Sequence, residues 1–131
     1  MAFATSVPPL LALRRSAQSG NKVMTAAWLV VYTDVSSSTL AYLFGGARIN
    51  LTPMLAGDAI DIRLRKRVIT GGAWVNHDDL AYADAQPVNH PSVDIKSIPD
   101  VFGIEISARQ TAGVLRTIEM EFYAAKILGT S

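Results

Sequence analysis

A chain of 131 residues, half of them hydrophobic, is long enough to bury its own core and too apolar to be disordered as a whole. It has no cysteine, which excludes disulfides, thiolate catalysis, thiolate-held zinc and iron–sulfur clusters. The net charge is +1, yet residues 1–22 hold Arg14, Arg15 and Lys22 and no acid, so the remainder is slightly acidic and bulk charge gives it no affinity for polyanions.

Residues 1–22 are expected to form an arm and residues 23–131 a single β domain. Val7–Leu13 is too short an apolar run to span a bilayer. It is also a poor signal peptide, because Pro8 and Pro9 interrupt it and the arginines follow it. The two prolines favour extended backbone. Leu10–Arg15 has room for one or two helical turns, and Ser16–Asn21 has the composition of a linker. An arm this short cannot offset its own ordering entropy, so it needs the domain itself or another subunit to hold it. Leu10, Leu11 and Leu13 are therefore expected to dock into an apolar groove on a neighbouring subunit, with Arg14 and Arg15 at the rim.

Strand signals begin at Met24. Trp28–Tyr32 is apolar on both faces, which predicts a strand covered on both sides. Thr39–Phe44 predicts a second strand closed by Gly45 and Gly46, and Arg48–Leu51 a short third. Ala59–Ile69 alternates, with Ile60, Ile62, Leu64 and Val68 on one face and Asp61, Arg63, Arg65 and Arg67 on the other. Residues 73–92 are polar and expected to be irregular apart from a short strand at Leu80–Tyr82. Val93–Ile98 is another strand, stopped by Pro99. The clearest signal is the closing hairpin over 103–126. Ile104, Ile106 and Ala108 share one face of its first strand, and Ile118, Met120 and Phe122 share one face of its second. Glu105, Ser107 and Arg109, and then Thr117, Glu119 and Glu121, take the opposite faces. About seven or eight short strands at this spacing predict an all-β fold, an antiparallel β-sandwich, jelly roll or small barrel.

The charged rows suggest structure before chemistry. Arg63, Arg65 and Arg67 line one strand face, and Glu119 and Glu121 line another. Opposed rows of this kind pair across a sheet or an interface. No aromatic is adjacent to the arginine row in sequence, which disfavours single-stranded nucleic acid. His77 and His90 fall near Asp78, Asp79 and Asp84 without a recognised ligand spacing, so no metal is assigned. No nucleophile elbow or phosphate-binding loop is present. No catalytic residue and no cofactor is assigned, and the chain is not expected to be an enzyme.

The strand pattern over 23–127, together with the terminal arm, resembles the small β-barrel and jelly-roll structural proteins of viruses, including capsid and capsid-decorating proteins of phages. No signature motif carries the resemblance, so no functional residue is transferred. It implies a structural subunit of a virus-like particle, located in the virion. Its partners would be copies of itself and other particle proteins, with no membrane, with nucleic acid disfavoured and with room for a small ligand. The alternative is a carbohydrate- or small-ligand-binding β-sandwich module.

Overall fold

The computed structural model describes residues 10–34, 42–69, 71–100 and 103–128, with backbone only for 10–14, 42–43, 98–100 and 124–128. These residues form strands and connections, and no helix occurs among them. The strands are β1 (Leu10–Arg15), β2 (Gly20–Val23), β3 (Leu29–Asp34), β4 (Tyr42–Asn50), β5 (Ala59–Lys66), β6 (Val75–Ala83), β7 (Ser92–Ile95), β8 (Ile98–Asp100), β9 (Ile104–Ala112) and β10 (Thr117–Leu128).

Every pairing is antiparallel. One sheet runs β1-β10-β4-β7, with β2 also on β10 and β8 also on β4. The other runs β3-β9-β5-β6. β1 and β2 lie end to end along one side of β10, and β7 and β8 along one side of β4. The described residues therefore occupy eight strand positions in two sheets of four. Numbered in chain order, these positions read 1-8-3-6 and 2-7-4-5, which is jelly-roll order.

The alternation expected for the closing hairpin is present. Ile104, Ile106, Ala108, Ile118, Met120 and Phe122 all point inward and are buried. Ile60, Ile62 and Leu64 of β5 meet them from the same core. Tyr32 joins the two sheets, with ring centroids 5.2 Å from Phe44 and 5.1 Å from Phe122.

Several elements differ from the sequence expectation. Leu10–Arg15 is a strand rather than helical turns, because its backbone groups are paired along β10 from Leu128 to Tyr123. The expected linker contains a turn and then β2. The strand expected from Met24 starts at Leu29, and it is covered on one side only, with Val30 about half exposed at a sheet edge. Of the separate strands expected at 39–44 and 48–51, residues 39–41 lie outside the described residues, and the rest merge through Asn50 into β4, whose register against β10 shifts beside Gly46. The irregular stretch at 73–92 contains the nine-residue β6.

The connections 24–28, 51–58, 84–91 and 113–116 gather at one end of the sandwich and hydrogen-bond to one another. Met24 N–H donates to Arg116 O at 2.8 Å, Leu51 N–H to Pro91 O at 2.9 Å, and Asp84 N–H to Asp58 O at 2.7 Å.

Phe122→Ala should lower the unfolding free energy by about 3–5 kcal/mol, because the side chain is fully enclosed between the sheets. Urea denaturation followed by circular dichroism measures this. A loss below about 1 kcal/mol, the range of surface substitutions, would contradict the packing described.

Candidate functional site

The outer face of the β3-β9-β5-β6 sheet carries the densest chemistry. In-register pairing puts Asp61 beside Arg109, Arg63 beside Ser107 and Arg65 beside Glu105 on β5 and β9. Arg63 also lies opposite Asp79 of β6. Arg109 Nε donates to Asp61 Oδ2 at 3.0 Å. Arg65 Nε donates to Glu105 Oε1 at 3.0 Å, and Ser107 Oγ to the same oxygen at 3.2 Å.

Two tryptophans cover this row. The guanidinium carbons of Arg63 and Arg109 lie 4.2 and 4.4 Å from the ring centroid of Trp28. Those of Arg67 and Arg65 lie 4.7 and 6.0 Å from Trp74. Attraction between a guanidinium and an aromatic face accounts for this layer. It also explains why Glu105 and Ser107, on a face expected to meet solvent or a partner, are buried. Nε of Arg63 and Nε of Arg67 are enclosed without a hydrogen-bond acceptor, in keeping with cations held by rings. Gly103 makes room here, since a Cβ on it would come within 3.1 Å of the Trp74 ring and of Asp34 O.

The expected pairing of the arginine row with Glu119 and Glu121 is therefore replaced. The arginines stand on the outside of one sheet and the glutamates on β10 of the other, so the core separates them. Glu119 accepts from Asn50 Nδ2 at 3.1 Å, and Glu121 pairs with Arg15. Arg65 does face a carboxylate across its sheet, but that carboxylate is Glu105. The expectation that no aromatic adjoins the arginine row is also corrected, because the fold brings Trp28 and Trp74 onto it. Both rings already carry guanidinium groups.

Trp74 was legible in principle. A hairpin over 59–83 places it just after the turn and beside Arg65 and Arg67. The run Asn76–Asp79, exposed throughout, hid that hairpin. His77 is exposed on β6 and His90 is exposed in the β6–β7 connection. No cluster of three metal-ligating side chains occurs among the described residues. Leu10, Leu11, Leu13 and Arg14 lie on β1 with only their backbone described, and Arg15 is exposed.

A second arrangement organises the loop end. Asp58 is buried, and its Oδ2 accepts from Arg116 Nε at 2.6 Å and from Leu55 N–H at 2.8 Å. Gly113 packs onto it with φ of 85°, and a Cβ there would overlap Asp58 Oδ1. The Arg116 hydrogen bond, then the Leu55 N–H, hold the Asp58 carboxyl below its ordinary value of 3.8, against the opposing effect of burial.

The architecture is a two-sheet jelly roll whose distinctive chemistry lies on its surfaces. It is similar in fold to VP2 of infectious bursal disease virus in its subviral particle, with a TM-score of 0.52 and 11% identity over 89% of this chain and 32% of that one. The present chain thus spans about a third of the VP2 length. A mutant VP2 from derived particles aligns with a TM-score of 0.44 and 11% identity, over 89% and 31% of the two chains. No protein-family model and no curated protein matches the chain.

Two outcomes follow. The lowered carboxyl of Asp58 contributes stability in full above 3.8, and that contribution is lost as pH falls through the lower folded value. Asp58→Asn should therefore have a lower urea midpoint than the parent at neutral pH, with the gap closing in acid below 3.8. A gap independent of pH would show that the ionised carboxylate is not the cause. Arg65→Ala leaves Glu105 buried and without its cation, and should cost about 1–3 kcal/mol. Replacing both residues by apolar ones should cost less, as a double-mutant cycle in urea would reveal.

Proposed function

We propose that this chain is a structural subunit of a virus-like particle, a capsid or capsid-decorating protein that acts through self-association and lattice contacts. The carrying observation is the strand order of two four-stranded antiparallel sheets, an architecture that capsid domains use. The likeness in fold to VP2 supports it. The distribution of chemistry agrees, since the charged groups of the outer sheet face are engaged with one another and with tryptophans. Its partners in this reading are copies of itself and other particle proteins, its place is the virion, and it performs no catalysis.

The segment 10–15 is proposed as one tie between subunits. Among the described residues β1 ends the order of its sheet, and in this reading its outer backbone edge would pair with a neighbour's strand. Leu10, Leu11 and Leu13 would supply apolar contact there, and Arg14 and Arg15 the charged rim.

Sedimentation velocity and negative-stain electron microscopy of the purified chain test the reading. The expected result is a discrete multi-subunit particle or association with one. A monomer at every attainable concentration, with no affinity for a particle, would refute it. Removing residues 1–15 should abolish assembly while leaving a β-type circular-dichroism spectrum.

A further inference from the structure

A cavity of about 470 Å³ opens on the outer face of the β3-β9-β5-β6 sheet. Trp28, Arg63 and Arg109 stand on one side of it, and Asn76, Asp79 and Ala81 of β6 on the other. Its size suits one small molecule rather than a length of chain.

The register explains why the space exists. Arg63 of β5 lies directly opposite Asp79 of β6, the arrangement that ordinarily gives a cross-strand ion pair. No such pair forms between them. The Arg63 guanidinium leans the other way, 4.2 Å from the centre of the Trp28 ring, and Trp28 precedes β3 on the far side of β9. The lean parts the two charges and leaves a gap between them.

The polar groups around the gap divide into engaged and free. Arg109 donates to Asp61, so those two are engaged. Arg63 makes no hydrogen bond or ion pair through its side chain among the described residues, and its Nε is enclosed without an acceptor. The side chains of Asp79 and Asn76 are likewise without a partner among the described residues.

These free groups select a ligand chemistry. A guanidinium fork matches the two oxygens of a carboxylate. The Asp79 carboxylate accepts only, and the Asn76 amide both donates and accepts. An acid-rich peptide or a phosphate chain would bring further negative charge against Asp79 and Asp61, which like charges oppose. A molecule with one carboxylate and neutral hydroxyls avoids that repulsion and still supplies donors to Asp79. Its C–H face can lie against Trp28 and the Ala81 methyl, the apolar part of the lining.

We propose that this cavity binds an acidic sugar, a six-membered ring with a single carboxylate, holding the carboxylate on Arg63 and the hydroxyls on Asp79 and Asn76. The proposal stands apart from the assembly reading above and needs only the folded chain.

D-glucuronate is the probe. Trp28 emission in a full-length Trp74→Phe chain reports occupancy, because one tryptophan then remains. Equilibrium dialysis of labelled glucuronate against the unaltered chain measures the same binding without that change. Saturable binding is expected, with D-glucose, which lacks the carboxylate, and acetate, which lacks the ring, competing at least about tenfold more weakly. Arg63→Met should weaken glucuronate by at least about tenfold. Asp79→Ala, at an exposed position of β6, separates this site from a general attraction of anions to arginine. It removes an acceptor for the sugar and also a repulsion, so glucuronate should bind less tightly while acetate should not. Circular dichroism checks that each variant keeps a β-type spectrum, and if Arg63→Met does not, Asp79→Ala decides. The proposal is overturned by an absence of saturable binding, by acetate competing as well as glucuronate, by a folded Arg63→Met chain that binds like the parent, or by Asp79→Ala leaving glucuronate binding unchanged or tighter.

Discussion

The buried Asp58 is the constraint on which the loop end depends. Its carboxylate holds Arg116 from the β9–β10 connection and the Leu55 N–H from its own, and its carbonyl receives Asp84 N–H from the β6–β7 connection. The carbonyl of Arg116 in turn receives Met24 N–H, which ties in the remaining connection. One ion pair thus links four segments far apart in sequence. A buried carboxylate needs such partners, because its desolvation would otherwise favour the neutral acid or another arrangement of the loops. Gly113 lets the pair form, being the residue whose missing side chain admits the Asp58 oxygen. The apolar side chains above this network therefore stand on a fixed support.

The outer face of the β3-β9-β5-β6 sheet solves a different problem by related means. It sets Arg63 and Arg65 on alternate positions of β5, with Arg67 just past its end and Arg109 on the next strand, close enough to repel. Asp61 and Glu105 engage two of them, and Trp28 and Trp74 offer ring faces to all of them. The long side chains lie flat and cover the polar groups beneath, which is why Ser107 is almost wholly enclosed on an outward face. A row that looks like a polyanion site in sequence is in structure a largely self-satisfied layer.

What was legible depended on period-two alternation. The hairpin of β9 and β10 and the strand β5 were visible because Ile60, Ile62, Leu64, Ile106, Ile118, Met120 and Phe122 repeat at that period, and all of them are buried. Alternation fixes which residues share a face, but not which sheet a strand joins. That is how Glu119 and Glu121 came to be matched with arginines on the far side of the core. β6 escaped notice because a solvent-facing edge strand with Asn76, His77, Asp78 and Asp79 in succession has no apolar period until Leu80 and Tyr82. β1 escaped because a short apolar run suits a helix or a strand equally, and its partner β10 lies more than a hundred residues away. Asp58 and Arg116 carried no local signal, since their meaning arises only when loops from opposite parts of the chain converge.

The surfaces that remain unsatisfied differ from those that are satisfied. Ion pairs on the sandwich are internal, joining Arg15 to Glu121, Arg65 to Glu105, Arg109 to Asp61 and Arg116 to Asp58. Charges already paired within one molecule gain little by meeting another, because a new partner must first displace the old one. Apolar side chains and an open backbone edge have no such competitor, and water is their only alternative. Among the described residues two such features lie near opposite ends of one strand, with β1 beside the Leu128 end of β10 and exposed apolar side chains of the connections at the Thr117 end.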